Sequence, residues 1–271
     1  MAELEARVAA LERAKIRPDM PLYEKETIKR IAGSGYIVNE TIPSRIYIGS
    51  QFTCSPTSIV SNQHNAAGPF AFFESADGAI ESHANGVGGI RLRASTAGSL
   101  AIGEGANIGT GGQIDITTAR NPRIIAVVNP YPNTPGTDAL TNQRIEIGFS
   151  DRTSSTGMTV EPTNGVFFRT TSGANWHAIT RNGGTETDVD TGIAVSNNPN
   201  YTPQLLEVST TATQATFKIN NATVASITTN LPATSTLMGG GVGNGLITSV
   251  ALGIRYVTVT ELHMWWDQYT F

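Results

Sequence analysis

The chain is predicted to fold as an all-β sandwich of two antiparallel sheets, and three observations carry that expectation. Short runs rich in β-branched and aromatic residues recur along it, punctuated by Gly or Asn pairs, the pattern of strands joined by tight turns. Charged residues make up 15% of the 271 residues, against about 25% in an average domain, a balance that suits strands and turns. Polarity alternates with period two: Ile90 and Leu92 fall on one side of Gly89-Ile-Arg-Leu-Arg93, and Arg91 and Arg93 on the other, as in a strand buried on one face. A chain of this length buries a full core without staples, so one sandwich domain over residues 23–271 and a small appendage over residues 1–22 account for it.

The appendage comes first. Met1, Leu4, Val8 and Leu11 recur at spacings of three and four, which predicts a helix from Met1 to about Ile16. With Met1 and Val8 at a positions and Leu4 and Leu11 at d positions, Arg7 falls at g and Glu12 at e, where the two can pair between parallel helices. Isolated helices below about 12–15 residues are marginal in water, so such a seam needs a larger domain that also oligomerises, or another protein that grips it. The same spacing suits a helix folded back on its own domain. The heptad reading makes Leu4, Arg7, Val8, Leu11 and Glu12 an oligomerisation seam, expected to give a homotrimer. Pro18 ends the helix and Arg17-Pro-Asp-Met-Pro-Leu22 reads as an extended connector.

Glu24 to Arg30 suits a helical turn or an edge strand. From Tyr36 the pattern is β, with strands expected at Gly35–Val38, Arg45–Ile48, Pro69–Phe73, Gly89–Arg93, Ser99–Ile102, Gln113–Thr117 and Arg144–Gly148. Arg123-Ile-Ile-Ala-Val-Val128 is the most continuously apolar run and is expected at a sheet centre. Asn129 to Gln143, with Pro130, Pro132 and Pro135, reads as a long exposed loop and a candidate recognition surface.

Gly165 to Ile227 reads as successive strands with a turn at Asn182-Gly-Gly184. A two-residue type I′ turn at Asn220-Asn221 would set Ile219 opposite Ala222 and Phe217 opposite Val224. Leu231-Pro232 and Gly239 to Gly245 are expected to form a second long loop, and Gly103 to Gly109 is likewise read as turns. Tyr256-Val-Thr-Val259 and the aromatic run Trp265-Trp-Asp-Gln-Tyr269 close the sheet.

Composition narrows the partners. A net charge of −4 provides no basic footprint for nucleic acid or for an anionic membrane surface. No apolar run approaches the roughly 20 residues of a membrane span, and the charged N-terminus lacks a signal peptide's apolar core, so folding in a cytoplasm is expected. Cys54 is the single cysteine, which excludes an intrachain disulfide and a thiolate metal cluster.

The candidate chemistry is sparse. Period two places Glu186, Asp188 and Asp190 on one face of a strand, as paired-carboxylate chemistry needs. Glu186-Thr-Asp-Val-Asp190 resembles the Glu-x-Asp-x-Glu strand of jelly-roll glycosidases, with a shorter acid at the third position. The plainer reading is a solvated polar face. The triplet lacks the remaining ligands of a calcium loop, and His64, His83, His177 and His263 show no metal-ligand spacing. No Gly-x-Ser-x-Gly elbow is present. Tyr131, Trp265 and Trp266 are the candidates for stacking on a glycan or a partner, against the usual placing of aromatics, Trp176 included, in a core or interface.

The strand and turn motifs of the 165–227 stretch carry a resemblance. Gly165-Val-Phe-Phe-Arg169, Trp176-His-Ala-Ile-Thr-Arg181 with Asn-Gly-Gly, the Thr-Asp-Val-Asp-Thr-Gly run, and Phe217-Lys-Ile-Asn-Asn221 followed by Leu231-Pro232 are similar to concanavalin-A-like (laminin G-like) jelly-roll domains of tailed-bacteriophage virion proteins. The resemblance is good over about residues 120–267. It implies two packed antiparallel sheets, frequent trimerisation, and a place in the virion after assembly in the host bacterial cytoplasm. On that basis the chain is expected to be a capsid decoration or head-fibre protein, held through its N-terminal segment on a major capsid protein. The alternative is a tail fibre docked on a tail adaptor and recognising a host surface glycan. A glycan depolymerase is a third reading. No enzymatic activity, catalytic residue, metal or cofactor is expected.

Overall fold

The computed structural model describes residues 28–30, 36–39, 45–51, 66–67, 70–74, 79–82, 89–94, 105–110, 116–132, 142–152, 160–171, 173–196, 202–247 and 255–267. The proposed helix, with Leu4, Arg7, Val8, Leu11 and Glu12, lies outside them, as do the strand expected over Ser99–Ile102 and Cys54, His64 and His83.

The strands run β1 (Ile28–Arg30), β2 (Tyr36–Asn39), β3 (Arg45–Gln51), β4 (Ala66–Ala67), β5 (Phe70–Glu74), β6 (Ala79–Ser82), β7 (Ile90–Arg93), β8 (Gly105–Gly109) and β9 (Arg123–Pro132). They continue as β10 (Gln143–Ser150), β11 (Gly165–Thr171), β12 (Asn175–Asn182), β13 (Thr185–Ala194) and β14 (Gln204–Thr210). The last are β15 (Ala215–Ile219), β16 (Ala222–Ile227), β17 (Gly239–Leu246) and β18 (Arg255–Asp267). Among the described residues there is no α-helix, only a short 3-10 turn at Thr118–Arg120.

Two antiparallel sheets form a sandwich. A ten-stranded sheet runs β1-β2-β3-β18-β9-β14-β15-β16, with β7 joining β18 and carrying β6. An eight-stranded sheet runs β13-β12-β11-β10-β17-β8-β5-β4. Alternate residues fill the space between them: Ile124, Ala126 and Val128 of β9 and Leu206 and Val208 of β14 share one core with Ile145, Ile147 and Phe149 of β10. Phe168 of β11 meets Phe217 of β15 edge-on, with centroids 5.2 Å apart, tying one sheet to the other. Each such buried ring contributes about 1.5–3 kcal/mol of transfer free energy. The apolar run at the start of β9 lies between β18 and β14, inside its sheet as expected, and of the two readings of Glu24 to Arg30 the described residues Ile28–Arg30 take the edge strand.

Both predicted turns form. Asn182 pairs with Thr185 around Gly183 and Gly184, each at positive φ. Asn220 and Asn221 take φ of 49° and 69°, and Ile219 pairs with Ala222. The register then shifts between Lys218 and Phe217, so Phe217 opposes Ala225 rather than Val224. The extra residue lies on β16, so the alternating burial of Ala215, Phe217 and Ile219 on β15 continues unbroken into the core.

Four expectations are corrected. Gly239 to Gly245 is no loop but the interior strand β17, between β10 and β8, and Gly105 to Gly109 is the strand β8. Glycine is required there because the backbones approach closely: a Cβ on Gly241 would lie 2.4 Å from the Ile108 carbonyl oxygen, and one on Gly105 2.4 Å from that of Asn244. Asn129 to Pro132 extends β9, so Tyr131 belongs to a strand, opposite Tyr256, and not to a loop. The pairing of β14 with β9 stops at Val128, so among the described residues Pro130 and Pro132 pair with β18 alone. Finally, the described part of Gln113–Thr117 holds only a bridge from Ile116 to Met238.

Candidate functional site

The eight-stranded sheet presents one face to the core and the other away from it. On β10, Ile145, Ile147 and Phe149 enter the core, so Arg144, Glu146, Gly148 and Ser150 point outward. On β11 the outward set includes Phe167 and Arg169, and on β12 it includes His177, Ile179 and Arg181. Strand register aligns these into rows. One runs Asp190, His177, Arg169, Glu146, Gly243, Asn107 across β13, β12, β11, β10, β17 and β8. The adjacent row runs Asp188, Ile179, Phe167, Gly148, Gly241, Gly109. Charged side chains crowd one half of the face, and the other half is paved with glycine.

The charged half is an ion-pair network. Arg169 grips Glu186 with both terminal nitrogens, at 3.0 and 2.7 Å, and also reaches Glu161 at 3.1 Å and Asp188 at 3.1 Å. Arg181 donates to Glu186 at 2.8 Å, Arg144 pairs with Glu161 at 2.5 Å, and His177 Nδ1 lies 2.6 Å from Asp188. Burial pushes the Glu186 carboxyl up, but the hydrogen bonds and charges of Arg169 and Arg181 outweigh it and hold it below the usual carboxylate range. Burial acts against charge on Arg169 too, and Glu186, Glu161 and Asp188 together raise its pKa. Asp190 accepts from the Gly192 N–H at 2.8 Å and from Asn175 at 3.0 Å, which lowers its pKa in that order.

Asp188 and Asp190 are exposed, as the solvated-face reading expects, while Glu186 is half-buried and tied to Arg169 and Arg181. Glu186 is locked as an anion and Asp188 is shared between Arg169 and His177, on the edge strand β13 rather than at the middle of the face. Among the described residues no group of three or more His, Cys, Asp or Glu is placed to hold a metal ion.

The glycine half forms a shallow cleft floored by Gly241 and Gly243 and bordered by Asn107, Glu146, Ser150 and Arg152. Arg152 is placed there by the turn after β10, where Asp151 Oδ2 accepts from the backbone and side-chain amides of Asn164 at 3.0 and 2.9 Å. Its Nη2 donates to both oxygens of Glu146, at 3.2 and 3.0 Å. Burial raises the Glu146 pKa against the lowering pull of Arg152 and Arg144, leaving this carboxyl at mid-sheet readier than Glu186 or Asp190 to hold a proton.

The aromatic candidates lie elsewhere. Trp266 is in the core, 2% exposed. Trp265 projects from the other side of β18, under the Arg123 guanidinium 4.6 Å from its ring. Trp176 is fully buried and donates to Gln204. Glu146 and Asn107 are hidden in the sequence because a polar residue on an alternating strand looks like any solvated one, and Arg152 because it lies on a turn that no periodicity marks. The available signal was Gly241-Val-Gly-Asn-Gly-Leu246, whose glycines recur with period two and so describe a strand with one bare face.

No protein-family profile matches the chain, and no curated protein matches it. Solved structures do. The carbohydrate recognition domain of Emp47p aligns at a TM-score of 0.51 and 9% identity, covering 81% of this chain and 94% of that one. A β-glucanase of Bacillus licheniformis aligns at 0.50 and 12% identity, covering 82% and 98%. The Crh5 transglycosylase aligns at 0.52 and 14% identity, covering 83% and 85%. These neighbours are concanavalin-A-like jelly rolls, and at such identities the likeness is one of fold. It overturns the expectation of a chain without enzymatic activity, since a glucanase and a transglycosylase are built on this architecture.

Proposed function

We propose that the protein is a virion component of a tailed bacteriophage whose sandwich binds a glycan on the outward face of its eight-stranded sheet. The observation that carries this reading is the cleft over β17: a floor without side chains, bordered by the amide of Asn107, the hydroxyl of Ser150, and the Glu146–Arg152 pair. A flat sugar ring needs that combination of open floor and polar edge. The shared fold with a carbohydrate recognition domain supports it, and the phage source rests on the turn and strand motifs of residues 165–232. A glycan microarray and host-cell binding test the reading. Binding that falls at least tenfold in Asn107→Ala with Ser150→Ala supports it, and binding unchanged in that double variant removes this face as the site.

Attachment to the particle is assigned to residues 1–22, with Leu4, Arg7, Val8, Leu11 and Glu12 as the seam of a homotrimer. Light scattering tests it: Leu4→Asp with Leu11→Asp dissociates a trimer, and a monomeric wild type ends the idea. Labelling on the phage separates a capsid mount from a tail mount.

A second reading, glycan cleavage, is favoured by the placing of Glu146, a carboxyl at mid-sheet whose burial favours the protonated form a general acid needs. Release of reducing ends from a glycan, abolished in Glu146→Gln, would establish it. Full activity in that variant would exclude Glu146.

A further inference from the structure

The cleft holds a charge that its own surroundings do not fully use. The Arg152 side chain is 9% exposed, yet only its Nη2 is engaged, on Glu146; Nε and Nη1 are buried and have no partner among the described residues. Arg169 on the same face has both terminal nitrogens spoken for by three carboxylates. Leaving guanidinium donors buried and unpaired is costly, because they have given up water without an acceptor in return. Glu146, the single acid holding Arg152, is itself pushed toward its neutral form by burial, which weakens its compensation of the cation further.

Resting on the glycan-binding reading, we infer that this cleft is a subsite for an acidic sugar, with Arg152 taking the carboxylate of a uronate residue over the Gly241–Gly243 floor. The donor and acceptor pattern fits that chemistry. A uronate presents an acceptor-only carboxylate flanked by hydroxyl groups; the cleft presents the donor-only guanidinium of Arg152 flanked by Glu146, which accepts, and by Asn107 and Ser150, which do both. A planar carboxylate matches a guanidinium edge. Its single charge also sits beside Glu146 with less repulsion than a doubly charged group would meet. The bare floor lets the ring approach the backbone, since no side chain rises from Gly241 or Gly243.

The experiment is calorimetric titration of the full chain with a tetragalacturonate, with the neutral galactose tetrasaccharide of the same linkage, and with a sulfated neutral tetrasaccharide. Tighter binding of the uronate than of both others, by at least tenfold, is expected, and Arg152→Gln should erase that preference while its thermal melt stays cooperative. If Arg152→Gln fails to fold, the arginine Nε–H resonances of the wild type replace it. One buried signal should move on adding tetragalacturonate and stay in place with the neutral sugar. Equal binding of neutral and acidic sugars, or a tighter sulfated one, overturns the uronate assignment and leaves glycan binding standing. Loss of binding to every glycan, on the array as well as here, sinks both.

Discussion

The indole Nε1 of Trp176 donates to Gln204 Oε1 at 2.9 Å, a hydrogen bond that joins β12 of one sheet to β14 of the other through the core. The same oxygen accepts from the Ser196 N–H at 2.8 Å, and Gln204 Nε2 donates to the Ala194 carbonyl at 3.0 Å. Gln204→Leu keeps the bulk and removes every partner. Each buried group left unpaired costs about 1–3 kcal/mol, so the urea midpoint should fall with the slope unchanged. A midpoint within error of the wild type would show that Trp176 finds another acceptor.

Gly241→Ala tests the close approach of β17 and β8. The added methyl meets the backbone of Ile108 at 2.4 Å, where no flexible side chain can yield, so the strands must separate. A loss of about 1–3 kcal/mol is expected, typical of overpacking. Gly183, with φ of 56° and nothing within 4 Å of a built Cβ, is the control. Gly183→Asn should change stability by no more than about 0.5 kcal/mol. Equal effects in the two variants would contradict the distinction between crowding and backbone conformation.

The hairpin turn yields a third prediction. Asn221→Val forces a β-branched residue into the left-handed region at φ of 69°, at a cost of about 1–2 kcal/mol, whereas Asn221→Gly should be neutral or slightly stabilising. Thermal melts of the pair decide it, and a Val variant as stable as the Gly one would refute the turn.

The network around Arg169 sets a pH dependence. The folded pKa of Glu186 lies below its unfolded value, so on acidification the unfolded chain takes up the proton first. The stabilisation is full above the usual carboxylate range and is lost as pH falls through the depressed folded value. Glu186→Gln should therefore lower stability near neutrality and make the acid limb of a stability profile shallower. An identical acid limb in wild type and variant would mean that the pair contributes nothing measurable.

The elements legible in the sequence were those written in side chains. Period two in Ile90 to Arg93, the apolar run of β9, and the asparagines at 220 and 221 each state a local preference that the tertiary structure keeps. What stayed hidden was written in their absence or in distance. Glycines of β17 and β8 look like turns because local propensity cannot report that a neighbouring backbone is about to press against them. Arg152 and Glu146 are six positions apart on a turn and a strand, and no periodicity predicts that they meet. The acidic triplet was found, but its partners Arg169 and Arg181 belong to the two preceding strands, so its electrostatic state could be judged only after the sheet was assembled.

Strand β18 bears on how the chain reaches this state. It lies between β3 and β9 and also pairs with β7, so elements separated from it by more than a hundred residues of sequence wait on it. Until it arrives, the ten-stranded sheet exists as three pieces, β1-β2-β3, β6-β7 and β9-β14-β15-β16, with unpaired edges at β3, β7 and β9 among the described residues. Such late, non-local closure slows folding and lengthens the time in which those edges can pair with a neighbouring chain. Slowing the completion of β18 should therefore show first as aggregation rather than as loss of any site.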